Sequence, residues 1–118
     1  MAGELAALPP LLRDEPGLTR ALSDPQARLA IVEVARPISI AALSHLSNHR
    51  PLVVACPTGA MAGQLYDDLC QYVGADAVAH FPAWETLPFE RVSPAVDTMG
   101  TRLEVLWRLR RAQRRPKI

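Results

Sequence analysis

Lysine is almost missing. Of the thirteen cationic residues in the 118-residue chain, only Lys117 is a lysine. A Gly-x-x-x-x-Gly-Lys-Ser/Thr phosphate loop is therefore excluded everywhere in the sequence. Arginine does not replace that lysine, because its planar fork lacks the compact charge that fits between β- and γ-phosphates. Cysteine is scarce too. Cys56 and Cys70 form neither a disulfide framework nor a metal-ligand spacing, and they read as buried thiols of a reducing cytoplasm. No apolar run approaches the roughly 20 residues of a membrane span. The start, MAGELAALPPLLRDEPG, has acids and prolines where a signal peptide has a basic and then an apolar stretch. Catalytic groupings are lacking as well. His45, His49 and His80 have no partners at ligand spacing, and the two at i, i+4 have no Glu between them as H-E-x-x-H requires. Asp67 and Asp68, adjacent on one expected helix, point about 100° apart and do not converge. No Gly-x-Ser-x-Gly elbow occurs.

What is present describes one compact domain. Hydrophobic residues make up 49% and charged residues 21%, a globular composition. The formal net charge of +1 hides a segregation. Seven cations and the single acid Glu104 lie between Arg102 and Lys117, whereas residues 1 to 101 hold eleven acids against six arginines. Arg108, Arg111 and Arg115 are the candidates for phosphate contact in that tail. The alternative is a solvated helix end whose cations suit the negative pole of the helix dipole.

The order of patterns predicts an α/β fold, a parallel sheet flanked by helices. Residues 1–28 read as an N-terminal helical segment, with Pro9-Pro10 interrupting ELAALPPLLR and Pro16 opening DEPGLTRALSD. Residues 29–118 read as the α/β subdomain. Its strands are expected at LAIVEVA (29–35), PLVVAC (51–56) and DAVAHFP (76–82). Helices are expected at ISIAALSHLSNH (38–49), with Ile40, Leu43 and Leu46 three apart, and at AMAGQLYDDLCQYV (60–73). The second carries the stripe Met61, Leu65, Leu69 and Val73. Asp97 or Thr98 caps a last helix with Leu103, Leu106 and Leu109 at core spacing. The loop after the first strand, EVARPISIAA, has no glycine and places Arg36-Pro37 where a phosphate-cradling turn belongs.

FPAWETLPFERVSP (81–94) is the most distinctive stretch. Trp84, Leu87, Phe89 and Val92 recur in a segment that proline keeps out of regular structure. Two roles are open for it. It is either a connector packed over the sheet edge and last helix, or a docking surface for neighbouring subdomains. Glu85 and Glu90 are expected at its rim, paired with Arg91 or Arg102.

PTGAMAGQLYDDLCQYVGADAVAHFPAWETLPFERVSPAVDTMGTRLEVLWRL (57–109) closely resembles the N-terminal module of the bacterial transcription-repair coupling factors (Mfd). PLVVACPTGAMAGQLYDDL is also similar to the first helicase-like domain of the excision repair protein UvrB. The resemblance implies a degenerate, UvrB domain 1a-like helicase subdomain that has lost ATP binding and has no cofactor of its own. It further implies a parent protein that displaces lesion-stalled RNA polymerase by ATP-driven translocation on DNA. ATP and magnesium would belong to a motor downstream. UvrA would be recruited mainly through the following subdomain, and RNA polymerase and DNA through later ones. UvrB's aromatic β-hairpin has no room between Phe89 and the last helix.

The expected function is thus a non-catalytic scaffold and interaction module, with neighbouring subdomains of the parent chain as its first partners. The rival is an ATP- and DNA-binding fragment of an active excision-repair helicase. The final RRAQRRPKI suggests a piece of a longer, cytoplasmic protein.

Overall fold

The computed structural model describes residues 3–87 and 89–118. Its order is a 3-10 turn Pro9–Leu12, α1 (Pro16–Ser23), a 3-10 turn Glu33–Ala35, α2 (Arg36–Leu46), α3 (Gly59–Val73), a 3-10 turn Ala75–Ala77, α4 (Val96–Arg110) and a last 3-10 turn Ala112–Arg114.

The expected parallel sheet is not there. Among the described residues there is no strand, and the fold is helical. The run 29–35 ends in the turn Glu33–Ala35, while 52–56 and 78–82 are extended but lie outside any strand. The physical reason lies in the backbone bonds. Leu52 N–H donates to the Lys117 carbonyl and Ala79 N–H to the Ile118 carbonyl, while Lys117 and Ile118 donate to Ala77. Two residues of tail between the extended runs give too few rungs for a ladder. Apolar composition in PLVVAC promised burial on both faces, yet Val53 is largely exposed.

The helices were better marked. Pro37 sits in the first turn of α2, where a missing N–H costs nothing. Thr58 caps α3, its hydroxyl accepting from Met61 N–H at 3.2 Å. Gly74 ends α3 at φ 88°, a left-handed value that a side chain would strain. The core packs α2 against α3 through Ala41, Leu69, Val78 and Ile118, with Ile40, Val54, Leu65 and Val73 partly buried around them. On α2 the wholly buried apolar side chains are Ala41 and Ala42, while Ile40, Leu43 and Leu46 are half-buried. The small side chains face inward on that helix. The N-terminal segment joins α3 by the bond from Leu5 N–H to the Gln71 carbonyl. A Cβ on Gly3 would stand 2.1 Å from that same carbonyl oxygen, so only glycine fits there.

The chain exposes 8838 Å², against about 6,300 Å² for a folded monomer of its mass. Its radius of gyration is 15.5 Å, against about 13.5 Å for a compact domain of this length.

Candidate interaction surface

The unusual surface lies along residues 81–92 and α4. The predicted stripe Leu103, Leu106, Leu109 does not face the core. Leu103 and Leu106 point to solvent, and Leu109 is half-buried. The inward side of α4 carries Arg102, Val105 and Arg108 instead. Of these, Val105 is the buried apolar residue.

The arginines join the helix to the extended run. Arg102 lies over two rings, its guanidinium carbon 3.9 Å from the Phe81 ring centre and 4.3 Å from that of Trp84. Its Nη1 donates to the Pro82 carbonyl. Arg108 donates to the carbonyls of Val78 and Asp76. Stacking and carbonyl bonding together use both the flat face and the rim of a guanidinium, which an ammonium cannot do.

Glu85 proves to be a helix cap. Its carboxylate accepts from Ala95 N–H at 3.1 Å and from the Thr98 hydroxyl, at the open N-terminus of α4. Those bonds, that from Thr98 first and that from Ala95 second, hold the Glu85 carboxyl below its ordinary value. Neither Asp97 nor Thr98 is the cap residue; Ala95 is, and its own side chain supplies no bond. Glu90 accepts from Leu87 N–H within its own turn. Among the described residues neither carboxylate pairs with Arg91 or Arg102, and Arg91 is exposed.

Beyond this framework the apolar side chains of the segment stand in water. Trp84 is 48% exposed, Leu87 68% and Phe89 97%, and Val92 is exposed as well. Trp84 is covered in part by the Arg102 guanidinium. On α4, Val96, Leu103, Leu106 and Trp107 are exposed apolar side chains as well.

The arginines predicted for phosphate contact are spread over separate tasks. Arg108 holds the two carbonyls already described, Arg111 stacks on Trp107 at 4.5 Å, and Arg115 Nε donates to the Leu109 carbonyl. Sequence reasoning missed Arg102 as the residue that organises the segment. Its signal was the pair of aromatics at Phe81 and Trp84 together with a cation on the inward face of the next helix.

Beside Arg36 the chain has a cavity of about 180 Å³ lined by Glu33, Arg36, Pro37, Cys56 and Asp68, among others. The Ser39 hydroxyl donates to the Ala35 carbonyl at 2.7 Å and is thereby engaged. The charged lining of the cavity is two carboxylates against one arginine, and its volume is below the roughly 300 Å³ of the smallest usual ligand pockets. Cys56 and Cys70 are free thiols, each partly buried. Burial, and then the neighbouring Cys70, push the Tyr66 phenol above its ordinary value. Among the described residues no three His, Cys, Asp or Glu side chains are placed to hold a metal ion, and no helix is long and apolar enough to cross a membrane.

Comparison with known proteins points the same way as residues 57–109. The chain is 53% identical over 66 residues, 56% of its length, to the transcription-repair-coupling factors of Mycobacterium bovis and Mycobacterium tuberculosis. It is 34% identical over 64 residues, 54% of its length, to that of Escherichia coli. It spans about 5% of the mycobacterial proteins and 6% of the Escherichia coli one. No family model matches the chain. Nor does any solved structure match it significantly. The resemblance to the transcription-repair coupling factors is borne out by these relatives, and with it a link to DNA repair.

Proposed function

We propose that this chain is a non-catalytic scaffold and interaction region of a transcription-repair coupling factor. Its proline-rich segment and the outer face of α4 dock other parts of the same protein. The observation that carries this reading is the exposure both of the outward stripe of α4 and of Leu87, Phe89 and Val92, on a chain with far more exposed surface than its mass requires. Arg102 and Glu85 tie the ends of the run that bears Leu87, Phe89 and Val92 to α4, which limits the freedom of that run. A fixed apolar surface loses less entropy on docking than a loose one.

In this reading ATP hydrolysis, translocation on DNA and polymerase displacement belong to other regions of the parent protein. UvrA is engaged mainly by the part that follows. The setting is the cytoplasm, where repair of transcribed DNA takes place in bacteria. The rival, an ATP- and DNA-binding fragment of an active excision helicase, needs a phosphate pocket. The small cavity beside Arg36, with Glu33 and Asp68 in its wall, weighs against one. Titration of the chain with magnesium-ATP, followed by amide chemical shifts at Glu33, Arg36 and Asp68 around this cavity, separates the two. The proposal expects no saturable shift at these three residues, and micromolar binding there would favour the rival.

A further inference from the structure

A second cavity, of about 430 Å³, also borders α2. Its wall combines the turn at Pro9 and Pro10, the inner face of α2, the end of α3 at Tyr72 and Val73, and the C-terminal tail. Arg50, Arg115 and Lys117 bring three permanent cations to it, with His45 beside them and Asp76 as the one carboxylate. The volume is that of an ordinary small-ligand site.

One side chain in this wall has no explanation within the fold. Ser44 is only 2% exposed, and its Oγ has no hydrogen-bond partner. The contrast with Ser39 on the same helix is direct. Ser39 turns its hydroxyl back to the carbonyl four residues earlier, the usual resort of a serine inside a helix. Ser44 makes no such bond, and it lines the cavity. A buried hydroxyl without a partner costs about 1–3 kcal/mol, so such groups ordinarily meet a water, an ion or a ligand. Here the surrounding charge selects among these. Three cations against one carboxylate favour an anion, and a hydroxyl at the wall supplies a neutral donor to it.

We propose that this cavity binds a small phosphate-bearing ligand, with Ser44 donating to a phosphate oxygen and Arg50, Arg115 and Lys117 supplying the countercharge. Arg115, whose Nε donates to the Leu109 carbonyl, is part of the cavity lining. The site is separate from the cavity beside Arg36 and shares none of its lining. It does not depend on the docking role proposed above.

The test is thermal melting of the 118-residue chain in inorganic phosphate and in pyrophosphate, each against sodium chloride of equal ionic strength, with amide chemical shifts followed in parallel. The expected result is a saturable rise in Tm, absent in the chloride control, with shifts at Ser44, Arg50 and Lys117. A single-stranded oligonucleotide without a terminal phosphate forms a third arm, and a response confined to it would overturn the proposal in favour of backbone phosphodiester binding. Ser44→Ala removes an unpartnered hydroxyl, so the variant should fold and melt no lower than the native chain without ligand. It should bind phosphate about tenfold more weakly, the loss of one charge-assisted hydrogen bond. Arg50→Gln should weaken binding as well. Equal stabilisation of native chain and Ser44→Ala, or of neither, would mean that the hydroxyl meets only water and would sink the assignment.

Discussion

Replacing Arg102 with alanine is the most informative single perturbation of the framework. The guanidinium lies 3.9 Å and 4.3 Å from two ring centres, and each such contact at a partly exposed site contributes about 0.5–1 kcal/mol. The bond to the Pro82 carbonyl adds about 1 kcal/mol in the same environment. These terms share one side chain and do not add fully, so the loss is about 2 kcal/mol. A chain of this length unfolds with an entropy of about 0.25 kcal/mol/K, so Tm should fall by about 8 °C. The assay is thermal melting followed by far-ultraviolet circular dichroism, with tryptophan fluorescence reporting on Trp84 and Trp107. Arg102→Lys keeps the charge and loses the planar stack, and it should recover less than half of the difference. A melt of Arg102→Ala within 1 °C of the native chain would refute the claim that this side chain joins the 81–84 run to α4.

Other outcomes follow from the same geometry. The Glu85 carboxyl is held below its ordinary value of 4.5 by Thr98 and Ala95. The unfolded chain therefore binds the proton more readily than the folded one. The stabilisation is present above the unfolded value and is lost as pH falls through the lowered folded value. Glu85→Gln should flatten that acid limb of a stability-pH curve, and an unchanged limb would remove Glu85 as the cap of α4. Phe89→Ser changes a side chain that is 97% exposed, so its Tm should stay within about 0.5 kcal/mol equivalent of native, while association with the rest of a coupling factor weakens. Leu69→Ala, at the centre of the core, should cost about 2–5 kcal/mol; a smaller loss, read from denaturant unfolding, would mean that α2 and α3 do not form the stable centre.

How much was legible in the sequence depends on how local each signal is. Pro37, Thr58 and Gly74 act within one helical turn of themselves and mark the start of α2 and both ends of α3, whereas α2, expected to reach residue 49, stops at Leu46. PLVVAC misled because a strand needs a distant partner that composition does not reveal. In the fold Leu52 N–H bonds to the Lys117 carbonyl and no strand forms among the described residues. The leucines of α4 were read as core for the same reason. Their spacing is right for burial, but what lies against the helix is the run 76–82, whose carbonyls and rings call for arginine. Glu85 as a cap was hidden by the ten residues that separate it from Ala95. Its neighbours Leu87, Phe89 and Val92 were open to two readings, a packed connector or a docking surface. Their exposure accords with the second.

Hydroxyl-radical footprinting addresses the docking surface most directly, comparing the isolated chain with the same residues inside an intact coupling factor. The account predicts strong oxidation of Phe89, Leu103 and Trp107 in the isolated chain and clear protection of all three in the intact protein. Equal oxidation in both would contradict it.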